Sequence, residues 1–236
     1  MLKHSAKKLS QLFLPFTCVV CHAPADRKQD LCHGCFNELP FYGPACLRCG
    51  TSLASASEHC GVCLQNPPPF DATHILFHYQ PPITQWIIQL KFHQQLLYAR
   101  LLGELFAEAL LQSGKNLPDA ILPVPLHAKR LRERGYNQAL EIAKPIARAI
   151  KRPILLDSCL RSKSTTPQTT LSRRERQQNM QNAFILQRNL HFRTIAVIDD
   201  VITTGYTMAA LCQTLKQHHC DKVAAWCCAR GSLSDA

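Results

Sequence analysis

The stretch Val197 to Thr207, VIDDVITTGYT, places Asp199 and Asp200 behind a β-branched apolar run and ahead of Thr203, Thr204, Gly205, Tyr206 and Thr207. At the end of a buried strand an unpaired carboxylate is costly and a neighbouring pair repels. The expectation is therefore that a ligand from outside the fold offsets the cost. Gly205 permits a tight turn that aims successive backbone N–H groups at an anion, and the hydroxyls of Thr203, Thr204 and Thr207 converge on the same point. The two carboxylates can accept hydrogen bonds from vicinal sugar hydroxyls or hold a divalent cation. A phosphorylated ribose satisfies both halves. No Lys follows Gly205 and no GxGxxG occurs, so Walker and dinucleotide loops are excluded. A second reading has the acid pair satisfying backbone donors at a helix N-terminus.

Cysteine carries the other chemistry. Eight of the thirteen cysteines form four CxxC knuckles, Cys18/Cys21, Cys32/Cys35, Cys46/Cys49 and Cys60/Cys63, each starting 14 residues after the last. A CxxC turn presents two thiolates to one tetrahedral Zn²⁺, and two knuckles close a shell with no position left for catalysis, so two structural zinc ions are expected. Iron–sulfur ligation and redox chemistry need no such even spacing. Joining neighbouring rather than alternate knuckles is favoured by only about 0.8 kcal/mol of loop entropy per site, which leaves the pairing open. His22, His33 and His59 are read as surface residues. Cys159, Cys212, Cys220, Cys227 and Cys228 are read as small buried hydrophobes.

These sites need elements to hold them. The 236 residues with 46% apolar content suffice for one ordinary domain and a small appendage. No run approaches the roughly 20 apolar residues of a membrane helix, and the N-terminal LFLPF is short and interrupted by Pro, which predicts a cytoplasmic protein without membrane insertion. The three prolines of QNPPPF divide a Cys-rich domain, 1–66, from a second domain, 67–236. Beyond them ATHILFHY reads as a strand, and 83–92 and 96–112 read as amphipathic helices. AILPVP, PILLDSCL, AFILQ, TIAVI and KVAAWCCA read as strands, with helices over 137–150 and 207–218. Strands alternating with helices predict an α/β fold with a mostly parallel sheet covered on both faces. Ligands in such folds bind beyond the carboxyl ends of the strands.

Charge is concentrated beside those ends. Residues 129–193 hold 15 Lys or Arg against 4 Asp or Glu, which accounts for the whole net charge of +11. Such a segment attracts phosphates, of a small ligand or of a nucleic acid. Within it, PVPLHAKRLRERGYNQA reads either as a loop that holds pyrophosphate, with Arg130, Arg132 and Arg134 supplying charge and Gly135 allowing close approach, or as a basic solvated turn before a helix capped near Asn137. Arg161 to Asn179 reads as a flap over the site or a nucleic-acid-binding arm.

At VIDDVITTGYT the chain resembles the type I phosphoribosyltransferases. That resemblance implies that residues 203–207 hold the 5-phosphate of phosphoribosyl pyrophosphate (PRPP), bound with Mg²⁺, and that Asp199 and Asp200 contact the ribose hydroxyls. With the CxxC region, the LKF of Leu90–Phe92 and PVPLHAKRLRERGYNQA added, nearly the full length resembles the ComF/GntX type of protein. This implies a double zinc ribbon with sequentially paired knuckles, a phosphoribosyltransferase-like domain, and a role in DNA uptake and natural competence. Three functions follow as expectations: a phosphoribosyltransferase of unknown acceptor; a PRPP or nucleotide sensor that binds single-stranded DNA; a structural adaptor. DNA-uptake or recombination proteins are the expected protein partners.

Overall fold

The computed structural model describes residues 16–114, 116–162 and 183–231. Beyond Arg161 and Ser162, the stretch read as a flap or arm lies outside the described residues. Two cysteine ribbons come first, each containing one short helix, α1 (His33–Asn37) and α2 (Gly61–Gln65). The chain continues as β1 (Ala72–His78), α3 (Ile83–Phe92), α4 (Leu96–Gln112), β2 (Ala120–Pro123), α5 (Ala128–Arg134), α6 (Gln138–Ile150), β3 (Cys159–Arg161), β4 (Phe184–Leu186), β5 (Thr194–Ile202), α7 (Tyr206–Gln217) and β6 (Lys222–Arg230).

Four strands form a wholly parallel sheet in the order β1-β6-β5-β2. Its central strands are apolar on both faces because both are covered. On one side Ala196, Ile198, Trp226 and Cys228 pack with Phe106 of α4 and with Ile142 and Ile146 of α6. On the other Ile195, Val197, Ala225 and Cys227 pack with Met208, Leu211 and Leu215 of α7. The five cysteines outside the knuckles are all buried, as their read role as small hydrophobes requires.

Two sequence expectations fail here. PILLDSCL and AFILQ do not extend the parallel sheet. Ile154 makes a single parallel bridge to Ile121, the chain turns away through Asp157 in the left-handed region (φ 50), and β3 and β4 form their own antiparallel pair. Pro153, which lacks an N–H, and the turn at Asp157 prevent a continuous ladder. The basic stretch after β2 is not a loop but α5. Ala, Leu, Lys, Arg and Glu are strong helix formers, and His127 Nδ1 accepts from Lys129 N at 3.2 Å to cap them.

The second ribbon lies along β1, the outer strand of the sheet. Tyr42 N donates to Leu76 O at 2.9 Å, His78 N to Pro40 O at 2.8 Å and Thr73 N to Leu47 O at 2.8 Å. A bare strand edge invites pairing with other chains, and the ribbon covers this one. The first ribbon is held to α4 by Arg27–Glu108 at 2.6 Å and by Arg100–Asp30.

Candidate ligand site and metal centres

The knuckles pair sequentially: Cys18, Cys21, Cys32 and Cys35 form one cluster and Cys46, Cys49, Cys60 and Cys63 the other, with all four sulfurs of each within 4.8 Å of one another. A tetrahedron with Zn–S of about 2.3 Å has S···S edges of about 3.8 Å. Cys21–Cys32 and Cys49–Cys60 stand at 3.7 Å and Cys46–Cys63 at 3.9 Å, so the donor sets fit Zn²⁺. Burial raises a thiol pKa, but the N–H groups of Cys21, Cys32 and Val20 together outweigh it and hold Cys18 down to about 6. The amides of Cys49, Cys60 and Arg48 do the same for Cys46, also about 6. Thiolate is the form that binds metal. His22, His33 and His59 are exposed and outside both clusters.

The other site lies at the carboxyl end of β5, where the strand runs through Thr203 and Thr204 into α7. Gly205 makes the turn in the left-handed region (φ 77), where a side chain would be strained. An open hollow of ≈ 300 Å³ is lined by Asp199 and by Val201 to Met208, which brings Thr203, Thr204, Gly205, Tyr206 and Thr207 together. No side chain caps α7, so its first backbone N–H groups, which have no intrahelical acceptor, face this end.

The acid pair has an internal partner. Lys91 Nζ, from the last turn of α3, stands 2.5 Å from Asp200 Oδ2, with the two side chains 24% and 4% exposed. The contact is a short, charge-assisted pair between two largely buried groups. Burial would raise the Asp200 pKa, but Lys91 outweighs it and, with the hydrogen bond from Asp199, holds it below the usual carboxylate range. Burial, then the Asp200 charge and that shared hydrogen bond, push Asp199 well above the usual range. Burial lowers the Lys91 pKa, yet Asp200, followed by Asp199 and Tyr79, drives it up overall. The fold thus favours the ionised forms of Lys91 and Asp200 and the protonated form of Asp199. The expectation that only an outside ligand offsets the acids is corrected: the fold itself neutralises Asp200.

The arginines of α5 do not converge. Arg130 and Arg134 lie one turn apart and are partly buried, whereas Arg132 points elsewhere and is exposed. Arg134 bonds Gln138 Oε1 and lies over the Phe92 ring at 5.7 Å. Gly135 ends α5 in the left-handed region (φ 83), and no protein atom lies within 4 Å of where a Cβ would stand, so the turn is its role in the fold. Asn137 caps α6, accepting from Ala139 N at 2.9 Å. Arg130 and Asp199 both act electrostatically on Arg161, whose pKa burial lowers, Asp199 raises and Arg130 lowers. Sequence reasoning had Arg161 only as the first residue of the flap or arm, and Lys91 only within the LKF resemblance. The available signal was that Lys91 is the sole charge in the ten residues of α3.

Comparisons with known proteins agree with this architecture. Residues 9–64 match the family described as Double zinc ribbon domain. Competence protein F of Haemophilus influenzae is 34% identical over 226 residues, covering 92% of this chain and 98% of that protein. DNA utilization protein YhgH of Escherichia coli and of Salmonella typhimurium is 33% identical over 224 residues, covering 93% of this chain and 99% of each relative. The chain therefore belongs to the ComF family, as a double zinc ribbon joined to a parallel α/β sheet.

Proposed function

We propose that the chain binds PRPP with Mg²⁺ at the hollow between Asp199 and the start of α7, and that it works in DNA uptake and competence. The names of its relatives give competence and DNA utilization to those proteins. The observation that carries the ligand is the joining of a hydroxyl-lined, Gly205-turned anion cradle to the carboxyl of Asp199 in one hollow, with Asp200 buried next to it against Lys91. In this reading residues 203–207 take the 5-phosphate and Asp199 and Asp200 take the ribose hydroxyls. Of the three α5 arginines this reading assigns pyrophosphate to Arg130, supported by its charge acting on Arg161, which in turn feels Asp199. The site belongs to a unit spanning 67–236, and 1–66 forms the ribbon unit. Thirteen cysteines, eight of them grouped as metal ligands and none of the described ones in a disulfide, suit a reducing compartment, the cytoplasm.

Calorimetry of the zinc-loaded protein with PRPP and Mg²⁺ tests the ligand. Binding should be weaker by about tenfold or more in Asp199→Asn than in wild type, because the variant lacks a carboxyl that ligand and Mg²⁺ would ionise into a charged acceptor. No heat from wild type refutes the reading. Pyrophosphate release with a panel of bases then separates an enzyme from a sensor.

A second function, binding of single-stranded DNA, is favoured by one observation. Arg148, Lys151 and Arg152 form an exposed basic stripe that begins with Lys144 on α6. If this stripe carries DNA, affinity should fall steeply between low and physiological salt, and a flat response excludes it.

A further inference from the structure

Arg230, the last residue of β6, touches three parts of the molecule. Its Nη1 donates to Cys49 O at 3.0 Å, so the side chain is bonded to a knuckle of the second four-cysteine cluster. Its carbonyl accepts from Tyr79 N, at the end of β1, at 2.9 Å. Its backbone is in register with Ile202, and the next amide, Gly231 N, donates to Ile202 O at 3.0 Å. Ile202 lines the hollow and immediately precedes the threonine loop. One residue therefore joins a metal knuckle, through its side chain, to the last rung of the strand that carries the candidate site, through its backbone.

The knuckle is held closely there. Thr73 Oγ1 donates to Arg48 O at 2.5 Å, and a Cβ on Gly50 (φ 71) would stand 2.5 Å from Ile75 Cδ1 and 3.5 Å from Arg230 Nη1. The second ribbon has almost no apolar interior beyond its own cysteines and Leu53, so metal decides whether it is folded. That makes it a two-state element, which is what energetic coupling between sites requires. The first cluster offers a contrast. The polar side-chain ties of its ribbon run through Arg27 and Asp30 to α4, and its apolar ties, Phe36 through Phe41 to Phe77, reach β1 and not a residue lining the hollow.

We infer that Arg230 is a positioning residue through which the second zinc site, and not the first, orders the end of β5 and the loop 203–207. Loss of that metal frees Cys49 O from its fixed place, releases the guanidinium and loosens the rung at Ile202. The inference relies on the PRPP reading only for what the hollow holds; the wiring is independent of it.

Hydrogen exchange on the full chain tests the wiring directly. Removing the second site by Cys60→Ser with Cys63→Ser should speed exchange at 200–208 by about tenfold, as local opening becomes easier. Cys32→Ser with Cys35→Ser, which removes the first site, should leave 200–208 unchanged. Arg230→Gln should speed exchange at 200–208 while the protein retains two zinc ions and residues 195–198 remain protected, and Arg230→Lys should be milder. The inference is overturned if Arg230→Gln with both metals leaves 200–208 unchanged, if 195–198 loosen equally, or if loss of the first site has the same effect. PRPP affinity should fall in parallel in Arg230→Gln. If wild type binds no PRPP, the ligand reading fails while the exchange result still decides the wiring.

Discussion

The protonated form of Asp199 is favoured by burial beside Asp200, whose own charge is matched by Lys91. The folded protein thus binds a proton at Asp199 that the unfolded chain releases near pH 4. Stability attributable to this group falls as pH rises from about 4 through the raised folded pKa, and the deficit is complete above it. Asp199→Asn should therefore raise the melting temperature of the unliganded protein at pH 8 and leave it nearly unchanged at pH 4, even as PRPP binding weakens. For Asp200, whose folded pKa is depressed, the sign reverses: its contribution is present above pH 4 and is lost as pH falls through the folded value. Lys91→Met leaves Asp200 buried and uncompensated and should cost about 3–5 kcal/mol in denaturant unfolding. Rescue by a second change, Asp200→Asn, would show that the penalty is electrostatic.

Among the elements, the second ribbon depends on how closely it approaches β1. At Gly50 two constraints coincide, a positive φ and a space already occupied by the side chains of Ile75 and Thr73. Gly50→Ala should destabilise the ribbon's seat by about 1–3 kcal/mol, combining strain with overpacking. Proteolysis between residues 40 and 66 should then become faster, with the sheet left intact. Much of the element plan was legible in the sequence. The helices 83–92 and 96–112 fall where the spacing of apolar residues places them, and α6 begins after the Asn137 cap. Helix α5 escaped because seven residues rich in Arg and Lys carry no apolar stripe strong enough to stand out from a solvated turn. PILLDSCL escaped because apolar content alone does not show where a strand leaves its sheet, which here depends on the turn at Asp157.

At the scale of the whole molecule, metal and charge decide the behaviour. The purified protein should contain two zinc ions, and strong chelation should unfold 16–66 while exposing the β1 edge, seen as aggregation that depends on protein concentration. A measured content of one or none would contradict the paired clusters. No helix among the described residues is long and apolar enough to cross a membrane.

What the amino-acid order alone determined was local: the knuckles at an even spacing, the period of each helix, and the acid-acid-Thr-Thr-Gly turn ending a β-branched run. Each depends on residues within a few positions of one another, where backbone geometry is set by nearest neighbours. Tertiary structure decided the remainder. Lys91 and Asp200 meet across 109 positions of chain, Arg161 comes within the electrostatic influence of Asp199, and Arg230 reaches the carbonyl of Cys49 across 181. Such meetings depend on strand order and helix packing, so no local pattern announces that a buried charge already has its partner.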